Sequence, residues 1–201
     1  MLEQVILARH GETEWNVAGR AQGREDSPLT TAGLEQAEAL GRRLASLGVG
    51  HIISSPLLRA RRTAEIAARA IGGTVSLDER LVERSFGELE GRLVAEAMAE
   101  NPRWIEVLRG TEPGAAARGG ESLHDVAARM LPALEAARAL PYRRVAVLSH
   151  GHCLRAVLGA LGDGNTANYH HGNCAYTPLA LREGRFTFDR WNLSALELAD
   201  A

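Results

Sequence analysis

Aromatic residues are scarce in this 201-residue chain, at 4 %, and no apolar run approaches the roughly 20 residues of a membrane span. With 45 % apolar residues but few rings, the core is expected to be built from Leu, Ala, Val and Ile. Cysteine is almost absent. Cys153 and Cys174 could pair, but with no export leader they are expected as reduced core thiols, and the chain is expected in the cytoplasm. Neither sign of charge dominates. A formal charge of −2 gives no general ground for binding nucleic acid or an anionic membrane. The length fits one domain, 1–201, with a sizeable core, and it leaves open whether two copies associate as a homodimer.

Strand and helix signals alternate. Residues 5–9 read as a short buried strand. Leu34, Ala37, Leu40, Leu44 and Leu47 recur at helical spacing, with Thr30 or Thr31 as N-cap and Gly48 as the stop. A strand is predicted over 51–54, a helix over 58–70 closed by Gly72-Gly73, and a strand over 74–77. Helical patterns cover 92–109 and 122–139, followed by a strand at 144–149 and a helix at 152–161. Residues 174–181 and 185–191 flank Glu183-Gly184 as a hairpin. This alternation predicts an α/β fold, a three-layer αβα sandwich with a mostly parallel central sheet. Between 84 and 121 the pattern loosens around Pro102, Gly110, Pro113, Gly114, Gly119 and Gly120. That segment is expected to be a helical and loop excursion over the site.

Two steps of the same chemistry stand out. Arg9-His10-Gly11 follows the apolar run Val5-Ile6-Leu7-Ala8, and Ser149-His150-Gly151-His152 follows Val145-Ala146-Val147-Leu148. A strand end fixes an imidazole rigidly, glycine lets the chain turn, and the neighbouring guanidinium supplies permanent positive charge. Such an arrangement suits a nucleophile whose target is an anion. In parallel sheets ligands sit beyond the carboxyl ends of the strands, where both steps lie.

Arg9-His10-Gly11-Glu12-Thr13 resembles the signature of the histidine phosphatase superfamily, which includes the phosphoglycerate mutases and many phosphomonoesterases. The resemblance extends in order through Asn16, Arg20-Ala21-Gln22-Gly23, Asp26-Ser27-Pro28-Leu29-Thr30, Ser54-Ser55-Pro56-Leu57-Leu58-Arg59-Ala60, Glu83, Phe86-Gly87, Gly119-Gly120-Glu121-Ser122 and Ser149-His150-Gly151.

Taken together, these residues define an expected site. His10 is the candidate nucleophile, attacking phosphorus to give a phosphohistidine. Arg9, Arg59 and His150 would clamp the transferring phosphoryl group, with the helix opening at Gly151 adding its N-terminal dipole. The resemblance places Asn16, Gln22 and Gly23 near the phosphate and Glu83 as general acid and base, protonating the leaving group and then activating water. Arg62 is read as a partner of Arg59 and Arg61 as solvated. No metal or other cofactor is expected, because the arginines and histidines already supply positive charge. His150 and His152 form an HxH pair without the further ligand a metal motif needs, and His152 is expected to turn away from the pocket. His170 and His171 are read as surface residues.

The departures from the mutase pattern decide the expected activity. The resemblance implies that mutases carry Thr where Gln22 stands, Tyr where Phe86 stands, and Asn-Lys where Leu93-Val94 stand. The segment between Glu83 and His150 is also short, and an open site admits water. A phosphatase acting on a small phosphomonoester is therefore expected. The alternatives are a 2,3-bisphosphoglycerate-dependent phosphoglycerate mutase, a phosphoprotein phosphatase and a non-catalytic phospholigand-binding module.

Overall fold

Alternation along the central strands divides the interior in two. Val5, Leu7, Val145 and Val147 face Met130, Leu134, Leu154 and Val157 on one side. Ile6, Ala8, Ala146 and Leu148 face Leu40, Leu44, Ala64 and Ala67 on the other. Successive strand residues point to opposite faces, so a strand with both faces covered must be apolar throughout. Each such Leu or Val adds about 2 kcal/mol by leaving water.

The computed structural model describes residues 1–196. In chain order it contains β1 (Gln4–Arg9), α1 (Glu14–Val17), α2 (Thr31–Ser46), β2 (His51–Ser54), α3 (Leu58–Ile71), β3 (Thr74–Leu77), α4 (Val94–Glu100) and α5 (Trp104–Arg109). Next come α6 (Leu123–Ala136), β4 (Arg144–Ser149), α7 (Gly151–Leu161), β5 (Tyr176–Arg182) and β6 (Arg185–Thr187). The sheet order is β3-β2-β4-β1-β5-β6. Its first four strands run parallel, and β5 and β6 are antiparallel additions at one edge. Helices α2 and α3 cover one face, α6 and α7 the other, which is the α/β sandwich expected from the alternation. Among the described residues no helix is long and apolar enough to cross a membrane, and both cysteines are unpaired and buried.

Local differences have local causes. The 92–109 pattern is two helices, because Asn101 before Pro102 is extended (φ −143°, ψ 106°), as the proline ring demands of its predecessor. The second hairpin strand ends at Thr187. The chain then turns back, and Leu193 exchanges backbone hydrogen bonds with Tyr176. Thr30, not Thr31, caps α2, its Oγ1 accepting from the Gly33 N–H at 3.0 Å. The four-residue α1 went unpredicted. A reciprocal cap holds it, with Thr13 Oγ1 accepting from Asn16 N–H and Asn16 Oδ1 accepting from Thr13 N–H.

The first turn of α2 packs backbone to backbone against the loop after β1. A Cβ on Gly33 would lie 2.1 Å from the Glu12 carbonyl oxygen, and one on Gly11 would lie 2.5 Å from the Gly33 oxygen. Gly33→Ala must therefore push the His10 loop aside, at a cost of about 1–3 kcal/mol. Thermal unfolding of the variant should start several degrees below that of the wild type, and an unchanged midpoint would show that this loop yields without cost.

Candidate active site

Parallel pairing of β1 with β4 sets Arg9 opposite Ser149, so both His-Gly steps leave the sheet at one level. The His10 N–H donates to the Ser149 carbonyl at 3.1 Å, and the rings of His10 and His150 stand 5.2 Å apart, centre to centre. A cavity of about 130 Å³ opens there, with Arg9, His10, Asn16, Gln22, Arg59 and Glu83 on its walls.

The Nδ1 of His10 lies 2.7 Å from the Gly11 carbonyl. A carbonyl only accepts, so Nδ1 carries the hydrogen and Nε2 keeps a bare lone pair. Burial, reinforced by the Arg59 and Arg9 charges, holds this imidazole well below the usual histidine pKa, hence neutral at pH 7. A neutral ring with one nitrogen pinned and the other bare is the form that can attack phosphorus.

The two arginines are held differently. Arg9 donates from Nη1 to the His171 carbonyl at 2.6 Å, and burial lowers its pKa. Arg59 donates to the Gly23 carbonyl at 2.7 Å, to the Glu25 carbonyl at 2.7 Å and to Asp26 Oδ1 at 2.8 Å. The Asp26 carboxylate also accepts from the Leu58 and Arg59 N–H groups, so it caps α3 and fixes the guanidinium together. In both arginines Nε is buried without a protein partner, as is Nδ1 of His150, whose Nε2 lies 2.8 Å from Ser55 Oγ. His150 is the N-cap of α7 and is kept uncharged by burial and by Arg59. Gly151 packs beside Arg9, and a Cβ there would stand in ordinary contact, 3.6 Å from Arg9 Nε.

Two amides complete this wall. Asn16 Oδ1 accepts from Thr13 N–H and from Asn173 Nδ2, which leaves its NH₂ to face the cavity. Gln22 Nε2 lies 2.8 Å from Thr13 Oγ1, a hydroxyl that already accepts from Asn16 N–H, while Gln22 Oε1 is buried without a partner. With the amide oxygen and nitrogen exchanged, the hydroxyl donates to Oε1 and the NH₂ is left without a protein acceptor, on a residue that lines the cavity.

Glu83 stands opposite, buried, with Oε1 accepting from Arg84 N–H at 2.8 Å and Oε2 from His152 N–H at 3.4 Å. The first turn of α7 thus directs a backbone N–H at this carboxylate. Arg129 pins the segment, donating to the carbonyls of Arg80, Val82 and Glu83 while paired with the Glu121 carboxylate at 3.0 Å. Arg84 is fully buried and donates to the carbonyls of Glu121, Val107 and Ala115. Burial brings its pKa down to about 10.

Arg9, His10, Arg59, Glu83, Asn16, Gln22 and Gly23 all line the cavity, and His150 and Gly151 stand behind it. Three readings need correction. His152 does not turn away: it lines the cavity, edge-on to Phe86 at 5.0 Å, because α7 begins one residue before it and carries its side chain round to the Glu83 side. His171 is buried, its Nε2 2.7 Å from Thr177 Oγ1, and its carbonyl holds Arg9; only His170 is exposed. Arg62 is half-exposed with its guanidinium 3.7 Å from Glu65, while the Arg59 guanidinium is held by Gly23, Glu25 and Asp26. Arg20, Val94 and Leu108 line the cavity as well, and only the match around Arg20 signalled any of them. Among the described residues no three His, Cys, Asp or Glu side chains group as metal ligands.

Comparison with known proteins fits this arrangement. A family model described as the histidine phosphatase superfamily (branch 1) matches residues 5–194, and the chain belongs to that superfamily. A protein of Erwinia tasmaniensis named "Probable phosphoglycerate mutase GpmB" is 46 % identical over 160 residues, 79 % of this chain and 74 % of the relative. Its namesake in Salmonella paratyphi B is 38 % identical over 193 residues, 94 % and 89 % of the two chains. Among solved structures, a mycobacterial glucosyl-3-phosphoglycerate phosphatase in complex with VO₃ superposes with a TM-score of 0.86 at 32 % identity, covering 96 % of this chain and 100 % of that one. These findings support activity of phosphatase or mutase type.

The buried imidazoles make the fold sensitive to acid. His10, His150 and His152 lie well below the ordinary histidine pKa of about 6.5, and burial takes His171 to about 3. Below 6.5 the unfolded chain binds protons that the folded chain refuses, so stability falls as pH drops, by up to about 1.4 kcal/mol per pH unit for each ring. Urea unfolding in phosphate-free buffer should show a loss of at least roughly 3 kcal/mol between pH 7 and pH 5. Equal stability at both would mean that the rings charge inside the folded protein.

Proposed function

We propose that the protein is a phosphomonoesterase, hydrolysing small phosphorylated metabolites through a phosphohistidine on His10. The observation that carries this is the His10 ring: neutral, with Nδ1 held by the Gly11 carbonyl and Nε2 bare beside buried guanidiniums. Nε2 attacks phosphorus as the ester oxygen leaves. Arg9 Nε, Arg59 Nε, His150 Nδ1 and the Asn16 and Gln22 amides meet the phosphoryl oxygens as charge develops. The Glu83 carboxyl gives its proton to the departing alkoxide, and its carboxylate then takes a proton from the water that opens the phosphohistidine. Residues 84–121 close one side of the site. No metal ion takes part in this scheme.

Hydrolysis is preferred to isomerisation because of what faces the leaving group. Phe86, Val94 and Leu108 line that side and offer nothing to the carboxylate or second phosphate of a bisphosphorylated intermediate, and Arg20, the cation on the same cavity, is exposed and donates from Nη1 to the Gly91 carbonyl at 2.8 Å. The names of the sequence relatives favour the mutase reading. That reading demands priming by 2,3-bisphosphoglycerate and interconversion of 2- and 3-phosphoglycerate faster than phosphate release.

Rapid quenching during turnover, with a strong chelator present, should trap one phosphate per chain in an acid-labile, base-stable linkage. His10→Ala should lose both label and hydrolysis, and His150→Ala should weaken labelling without moving it. Label on His150 would reverse the two roles; hydrolysis without label would mean direct attack by water.

Glu83→Gln should slow alkyl phosphates by roughly 10²–10⁴-fold, the usual worth of a positioned proton donor, and spare aryl phosphates, whose leaving groups hardly need a proton. Equal loss on both classes would restrict Glu83 to activating the water.

A further inference from the structure

His152 remains unused by that chemistry, and its surroundings give it a different part. The ring is partly buried on the cavity wall, edge-on to Phe86, with its Nε2 atom buried and lacking any hydrogen-bond partner. Burial and the charges of Arg84, Arg155 and Arg9 keep it neutral. A neutral imidazole nitrogen carries either a hydrogen or a bare lone pair, and in an apolar wall each is costly unless a partner reaches it. A hydroxyl, which both donates and accepts, satisfies either form. The place of His152 relative to the reaction is fixed by its own backbone, whose N–H reaches the Glu83 carboxylate. His152 therefore stands with Glu83 and Phe86 beside the departing alcohol.

Resting on the hydrolase reading above, we propose that His152 is a specificity-determining residue that hydrogen-bonds a hydroxyl on the leaving alcohol, so that the preferred substrates are phosphomonoesters of polyols. A substrate with that hydroxyl satisfies the unpaired nitrogen. Its deoxy analogue leaves the nitrogen buried and unpaired, and a site built around such a bond rejects analogues that lack the group.

The test is the ratio of kcat/KM for 2-hydroxypropyl phosphate over propyl phosphate, which differ by one hydroxyl. The wild type should prefer the hydroxylated ester by at least roughly tenfold, the worth of one buried hydrogen bond. His152→Phe preserves the ring and its edge contact but has no nitrogen, and should bring the ratio to within about twofold of one, as expected when that bond is lost. His152→Gln, which again offers a hydrogen-bonding group, should recover part of the preference. A wild-type ratio near one overturns the proposal whatever the variants do, and so does a preference that survives in His152→Phe. If the wild type neither hydrolyses p-nitrophenyl phosphate nor traps phosphate, the hydrolase reading has failed, and this inference with it. Turnover with trapped phosphate and equal rates on the two esters overturns the role of His152 alone.

Discussion

The parallel pairing of β1 with β4 is the constraint from which the site follows. Two parallel neighbours end at the same edge, so Arg9 and Ser149 sit across from each other and the next residues, His10 and His150, become neighbours without any contact having to pull them together. An antiparallel pair would put the same two steps at opposite edges. Register matters as much as direction. Val5 and Leu7 belong to one core layer and Ile6 and Ala8 to the other, and both layers hold the strand in place.

Around that pair the loops are organised by buried guanidiniums that collect backbone carbonyls. Arg59 gathers Gly23 and Glu25, Arg129 gathers Arg80, Val82 and Glu83, and Arg84 gathers Val107, Ala115 and Glu121. All 23 basic residues of the chain are arginine. A planar fork of donors can hold two or three carbonyls in fixed directions, whereas an ammonium offers a point charge on a flexible stem. Irregular segments with few apolar residues are thereby given definite shapes, including the stretch that carries Glu83.

How much of this was legible in the sequence depends on the range of the interaction. Strands 4–9 and 144–149 and helices 31–46 and 58–71 announce themselves through apolar periodicity, because both faces of the sheet are covered. The proposed nucleophile, His10, and the arginines beside it were visible for the same reason: they stand at the ends of those elements. His152 and His171 were misread because side-chain direction beyond an element's end depends on where the element starts and on which residues the fold brings against it. Neither the Phe86 ring beside His152 nor the Thr177 hydroxyl beside His171 leaves a local trace. Nothing in the sequence sets Arg84 and Arg129 apart, for a similar reason: most of their partners are backbone carbonyls, which no residue type encodes.

One further consequence concerns the energy of the empty molecule. Arg9 and Arg59 lie close enough for each to oppose the charge of the other, and both depress protonation of His10 and His150. The fold thus carries a standing repulsion at its centre, kept in place by the sheet and the carbonyl clamps. An anion that enters relieves it, and whatever binds only the folded form adds its binding free energy to the stability of the fold. Affinity for phosphate and resistance to unfolding are in this molecule one quantity seen from two sides.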